Sequence, residues 1–133
     1  MSTFSVVIMT TKTILIIDDE RNVRELIALC LKDLGGWDVL TVDSALEGLH
    51  RSAIDRPDAI VLDISMPGMD GLMFLERLRK NPETQAIPVV LLSAKTKWID
   101  PEIFRKYKIA GAIAKPFDPV ELPIEIARLL GWE

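Results

Sequence analysis

Three segments of the chain, TILIID (13–18), DAIVLD (58–63) and IPVVLLS (87–93), are short apolar runs that turn polar only at their ends. A strand covered on both faces of a parallel sheet has this pattern, because neither side of the pleat meets water. WDVLTV (37–42) and AGAIA (110–114) predict two more strands. Between the runs the period changes to that of a helix. ERNVRELIALCLKDLGG predicts a first helix that stops at Gly35-Gly36, with Val23, Leu26, Ile27, Cys30 and Leu34 on one stripe. SALEGLHRSA predicts a short second helix with Ser44 as its cap. Asp70 is placed to cap GLMFLERLRK, where Leu72, Leu75 and Leu78 share a face before Asn81-Pro82 ends the helix. A fourth helix is expected over about 100–108 and a last one over DPVELPIEIARLL (118–130). Pro119 suits a first helical turn, whereas Pro123 does not suit a helix interior, so the last helix is expected to bend or to start late.

Five strand-helix units with buried strands imply an α/β fold, a parallel sheet with helices on both faces. No repeat, low-complexity tract or linker divides it. In such sheets ligands bind outside the carboxyl ends of the strands, so the function is expected there.

Composition narrows the classes. A chain of 133 residues fits one domain and needs no disulfide or metal to fold. With 49% hydrophobic and 27% charged residues it has the balance of an ordinary soluble protein, and it lacks the long apolar run of a membrane span. MSTFSVVIM has no basic start and no small-residue cleavage site, so a cytoplasmic location is expected. Residues 1–11 read as a frayed tail without function and 12–133 as the domain. The lone Cys30 is expected to pack in the core and the lone histidine, His50, to lie on the surface. Trp37 and Trp132 are expected to cover edges of the core. A net charge of -4 argues against a nucleic-acid surface and turns attention to the acids.

The first strand runs into Asp18-Asp19, the third into Asp63, the fourth into Ser93 and the fifth into Lys115. Strand ends converge in this architecture, so one shallow cleft would hold three carboxylates, a hydroxyl and an ammonium. Two like charges about 4 Å apart repel by roughly 4 kcal/mol at an effective dielectric of 20, so the acids call for a cation. Oxygen-only ligands in an open cleft suit Mg²⁺. A carboxylate can also act as a nucleophile and accept a phosphoryl group as an acyl phosphate. The developing charge on the phosphoryl oxygens would then need the metal, a hydroxyl donor and a positive side chain, a set that Asp63, Ser93 and Lys115 complete.

The motifs IIDDE, VLDISMPGMDG, LLSA and AKPF, in that order, resemble those of a response-regulator receiver domain of two-component signalling, over about residues 12–131. The resemblance implies a flavodoxin-like (βα)5 three-layer sandwich with strand order 2-1-3-4-5. It implies Asp63 as phosphoacceptor and Mg²⁺ bound by Asp19, Asp63 and the backbone carbonyl of Ser65, with Asp18 acting through water. Ser93 matches the switch hydroxyl and Lys115 the phosphate-contacting lysine. Ala94 matches the small residue that leaves the phosphoryl site open, Ser65 and Lys95 match positions that tune the phosphoryl lifetime, and Lys115-Pro116 matches a cis peptide. By resemblance the phosphoryl group comes from a histidine kinase or a phosphotransfer protein, and the domain catalyses only its own phosphorylation and dephosphorylation. Output is expected through protein contact or self-association over about residues 98–130, by a stand-alone module of the chemotaxis-regulator kind.

One departure stands out. Receivers commonly carry an aromatic three residues before the lysine, and this chain has Ala112, which has no rotamer to switch. Tyr107 and Trp98 are near in sequence but read as packing residues. Two other functions compete for these residues. A Mg²⁺-dependent small-molecule phosphohydrolase lacks support from a P-loop or from an acid two residues after Asp63. A phosphorylation-independent scaffold is at odds with the full set of Asp18, Asp19, Asp63, Ser93 and Lys115.

Overall fold

A computed structural model describes residues 11–64, 71–94 and 100–132. Five parallel strands, β1 (Thr13–Ile17), β2 (Asp38–Val42), β3 (Ala59–Asp63), β4 (Val89–Ser93) and β5 (Ile109–Ala114), form one sheet in the order β2-β1-β3-β4-β5. The helices are α1 (Arg21–Leu29), α2 (Ala45–Asp55), α3 (Gly71–Lys80), α4 (Pro101–Lys106) and α5 (Leu122–Leu130). This is the flavodoxin-like arrangement that the sequence implied.

Every residue of β3 and β4 is buried, as their unbroken apolar runs require. Alternate residues divide the core in two. Leu15, Ile17, Leu62 and Leu91 meet Phe74, Leu75 and Leu78 of α3 on one face. Ile14, Ile16, Val61 and Val90 meet Ile27, Leu31 and Ile126 on the other. Each such aliphatic side chain contributes about 1.5–3 kcal/mol on full burial, which accounts for the sheet's central position. The edge strand β2 keeps polar residues and is buried only at Val42.

Two helix faces differ from expectation. In α1 Ile27 and Cys30 of the expected stripe are buried, but Leu26 and Leu34 are exposed and Leu31 is buried in their place. Residues Cys30–Leu34 continue α1 as a π-helical turn. Its wider turn shifts the phase of the following side chains and swings Leu34 outward. In α3 Leu72 is partly exposed and Phe74 fills the core beside Leu75 and Leu78, because a bulky aromatic makes more of the same face. The expected burial of Cys30 and the exposure of His50 are both found.

Capping follows the polar residues. Ser44 accepts the Glu47 N–H at 3.1 Å and starts α2, and Asp100 accepts the Glu102 N–H at 2.9 Å and starts α4. The last helix starts late. Asp118 accepts the Val120 N–H at 2.9 Å in a turn that holds Pro119, and α5 begins only at Leu122. Pro123 then sits in the first turn, where its missing N–H removes no helical bond. Gly111 of β5 allows α5 to approach closely, since a Cβ there would lie 2.5 Å from Leu129. Trp37 and Trp132 meet edge to face with ring centroids 5.3 Å apart, and Lys12 lies over the Trp132 ring. No described helix is long and apolar enough to cross a membrane.

Candidate functional site

Because all five strands are parallel, their carboxyl ends lie along one edge of the sheet. Asp18 follows β1, Asp63 ends β3, Ser93 ends β4 and Lys115 follows β5. Asp18, Asp63 and Ser93 are buried while Asp19 is exposed. One carboxylate oxygen each from Asp18, Asp19 and Asp63 lies within 4.8 Å of the others. The Lys115 ammonium donates to Asp63 Oδ2 at 2.9 Å and stands 3.7 Å from Asp18 Oδ2. Thus the lysine that ends an otherwise apolar segment meets two acids from distant parts of the chain.

The backbone around these side chains is tightly held. The Lys115 N–H donates to the Ser93 carbonyl at 3.0 Å, and the Ile64 N–H donates to the Leu92 carbonyl at 3.1 Å. These bonds extend the β4 pairing to the last residues of the strands. The Lys115-Pro116 peptide is cis. Asp18 Oδ1 accepts the Glu20 N–H at 2.9 Å, and its carbonyl accepts from Arg24 Nη1, also at 2.9 Å. Arg24 was not singled out in the sequence. Its signal was a cation in the amino-terminal half of a helix that carries no acid in its first turn, against the preference of the helix dipole.

Asp18 Oδ2 is buried and accepts no hydrogen bond among the described residues. Burial pushes the Asp18 carboxyl above the ordinary carboxylate range, and the negative charges of Asp63 and Asp19 add to this. The Glu20 N–H and the Lys115 ammonium act in the opposite sense. An unbonded carboxylate oxygen facing two further carboxylates, with one ammonium for the three among the described residues, is a cluster short of positive charge. Its donors are all oxygens and one of the acids is open to solvent, so the residues present fit a hard divalent cation.

Ala94 is exposed and borders an apolar hollow of about 400 Å³ with Val23, Leu26, Lys115, Pro116 and Phe117. Ala112 is half-buried and packs in the same cluster as Ile103 and Phe104 of α4, with Tyr107 buried beside them. No residue of α4 is itself fully buried. Ser65, Asp70, Lys95, Trp98 and residues 1–10 lie outside the described residues.

Residues 14–127 match the response regulator receiver domain. The chain is 37% identical over 129 residues to the phosphate regulon transcriptional regulatory protein PhoB of Pseudomonas aeruginosa, a match covering 91% of this chain and 51% of that protein. It spans about half the length of this relative and of the curated response regulator Rre1 of Synechocystis, to which it is 34% identical. Among solved structures it is similar to the chemotaxis response regulator CheY4 of Vibrio cholerae, with 27% identity and a TM-score of 0.82, covering 90% of this chain and 99% of that one. It is also similar to the receiver domain of the sensor histidine kinase PA1611 of Pseudomonas aeruginosa. That structure was solved with a magnesium ion coordinated in its active site cleft, and the likeness has 25% identity and a TM-score of 0.79 over 92% of this chain and 99% of that one.

Proposed function

The chain belongs to the response regulator receiver domain family, and from that premise we propose that it accepts a phosphoryl group on Asp63 with Mg²⁺ in the carboxylate cluster. The observation that carries this reading is Asp63 itself. It is a buried carboxylate at a strand end, with Lys115 at 2.9 Å and the oxygens of Asp18 and Asp19 within 4.8 Å. The donor is a phosphohistidine on a histidine kinase or a phosphotransfer protein. An Asp63 oxygen forms the new bond to phosphorus while the bond from phosphorus to the imidazole nitrogen breaks, leaving its electron pair on the histidine.

Asp19, Asp63 and the Ser65 carbonyl would hold the metal, with Asp18 acting through water. The bound Mg²⁺ supplies charge neutralisation for the phosphoryl oxygens. Lys115 holds Asp63 in place and offers a second positive charge on the phosphoryl side, and Ser93 offers a hydroxyl from the end of β4. The exposed Ala94 leaves room for the incoming group, and Ser65 and Lys95 tune how long it stays. In hydrolysis of the acyl phosphate a water oxygen bonds to phosphorus as the Asp63 oxygen leaves, with the same groups around it, so the chemistry serves the domain's own phosphorylation and dephosphorylation. A kinase-fed receiver works in the cytoplasm. Output passes through protein contact over about residues 98–130, where α4 joins the core only through side chains that are not fully buried, Ile103 and Phe104.

Incubation with acetyl phosphate and Mg²⁺, followed by intact mass, tests the reading. A single labile phosphoryl group is expected on the wild type and none on Asp63→Asn. An unlabelled wild type that has been shown to bind Mg²⁺ would overturn it, and repeated turnover of a small phosphate ester would point to a phosphohydrolase instead.

A further inference from the structure

Asp18 is held at three points. Its N–H donates to the Val42 carbonyl at 3.2 Å, its Oδ1 accepts the Glu20 N–H at 2.9 Å, and its carbonyl accepts from Arg24 Nη1 at 2.9 Å. The fourth polar atom, Oδ2, is the buried one that no hydrogen bond satisfies. Besides the attraction of the Lys115 ammonium 3.7 Å away, where Oδ2 points depends on the other three contacts. Two of these use main-chain partners that any sequence would supply. The third depends on the Arg24 side chain.

Helix formation does not explain Arg24. It lies near the positive end of the α1 dipole, where a cation is unfavourable. Arg21, also in the first turn, is paired with Glu25 at 3.0 Å and both side chains are exposed. Arg24 is half-buried and reaches back six residues to the strand end. Its planar fork can hold a carbonyl at a fixed angle with little loss of rotamer freedom.

We propose that Arg24 is a positioning residue for the metal-binding carboxylates: by gripping the Asp18 carbonyl it fixes the β1–α1 connection so that Asp18 Oδ2 and Asp19 face Asp63. This rests on the reading of the carboxylate cluster as a Mg²⁺ site. Arg24 would touch neither the metal nor the phosphoryl group.

The two ways in which Arg24 can act on a bound cation have opposite signs. Its charge repels Mg²⁺ through space, so removing the charge alone tightens binding. Its hydrogen bond holds the ligands together, so removing the bond weakens binding, typically by about 10–100-fold for groups that orient metal ligands. A purely structural residue lowers the melting midpoint and leaves the affinity of the folded protein unchanged.

The experiment is calorimetric titration of the full chain with MgCl₂, for the wild type, Arg24→Lys, Arg24→Gln and Arg24→Met, each well below its own melting midpoint. Arg24→Met is expected to bind Mg²⁺ at least about tenfold more weakly than the wild type. Arg24→Lys, which retains a donor, should fall between the two. Mg²⁺ binding by Arg24→Met as tight as in the wild type, or tighter, would overturn the proposal. Should Arg24→Met not fold, the Arg24→Gln and Arg24→Lys titrations decide: weaker binding by both supports the tether, and unchanged or tighter binding by either refutes it. A wild type that takes up no Mg²⁺ would instead sink the metal reading, and the tether role with it.

Discussion

Lys115 Nζ lies 2.9 Å from Asp63 Oδ2, across 52 residues of sequence and the full width of β4. The ammonium thereby partly neutralises a carboxylate that is almost fully buried, while its own side chain keeps 21% exposure. The pair stands between a surface bridge and a buried one in strength. Lys115→Ala is expected to retain the fold and to cost about 1–2 kcal/mol in the metal-free protein, read from denaturant midpoints. The nucleophile is untouched, so acetyl phosphate should still label Asp63. What should disappear is the shift in the amide spectrum on phosphorylation, because the phosphoryl group then has no ammonium to draw β5 toward it. A phosphorylation-induced shift as large as that of the wild type would remove Lys115 from the readout.

Asp18 gives the opposite sign of stability change. Its environment disfavours the charged form, chiefly through burial and then through Asp63 and Asp19. Asp18→Asn keeps an oxygen for the Glu20 N–H and removes one of three crowded negative charges. Metal-free stability is expected to rise by about 1 kcal/mol. In excess Mg²⁺ the ranking should reverse, because the wild type gains stability from a ligand that binds only the folded cluster. Denaturant midpoints with EDTA and with MgCl₂ measure both; a variant less stable than the wild type in EDTA would show that the cluster is not short of positive charge.

The sheet was legible because each buried strand leaves an apolar run, and the run's polar end marks where the chain leaves the core. Asp18, Asp19, Asp63 and Lys115 could be brought together from this alone, since parallel strands put their carboxyl ends at one edge. What was not legible depended on atoms rather than pattern. The exposure of Leu34 follows from a π-helical turn, which a 3.6-residue period does not anticipate. Arg24 and Arg79 bond to backbone carbonyls, which every residue has, so no partner residue type reveals them. Pro123, by contrast, set the start of α5 through a steric rule that needs no tertiary knowledge.

Arg79 carries the last prediction. Its half-buried guanidinium donates to the carbonyls of Tyr107 at 2.7 Å, Gln85 at 3.0 Å, Ile87 at 2.6 Å and Lys108 at 3.3 Å. These carbonyls belong to the segments that lead into β4 and β5, at the opposite end of the sheet from Asp63. One side chain of α3 therefore aligns the entries of two neighbouring strands. Burial disfavours the guanidinium's charged form, so the four carbonyl dipoles must offset that cost. Arg79→Met retains the packed stem but leaves those acceptors without their donor, and is expected to lower stability by about 2–3 kcal/mol. Arg79→Lys, with one flexible ammonium in place of a planar fork, should recover only part of this. Below the melting midpoint, labelling of Asp63 by acetyl phosphate should match the wild type, since the carboxyl ends of the strands are held by their own ladder. A denaturant midpoint for Arg79→Met equal to that of the wild type would show that water replaces the guanidinium at no cost, and that the strand entries need no staple.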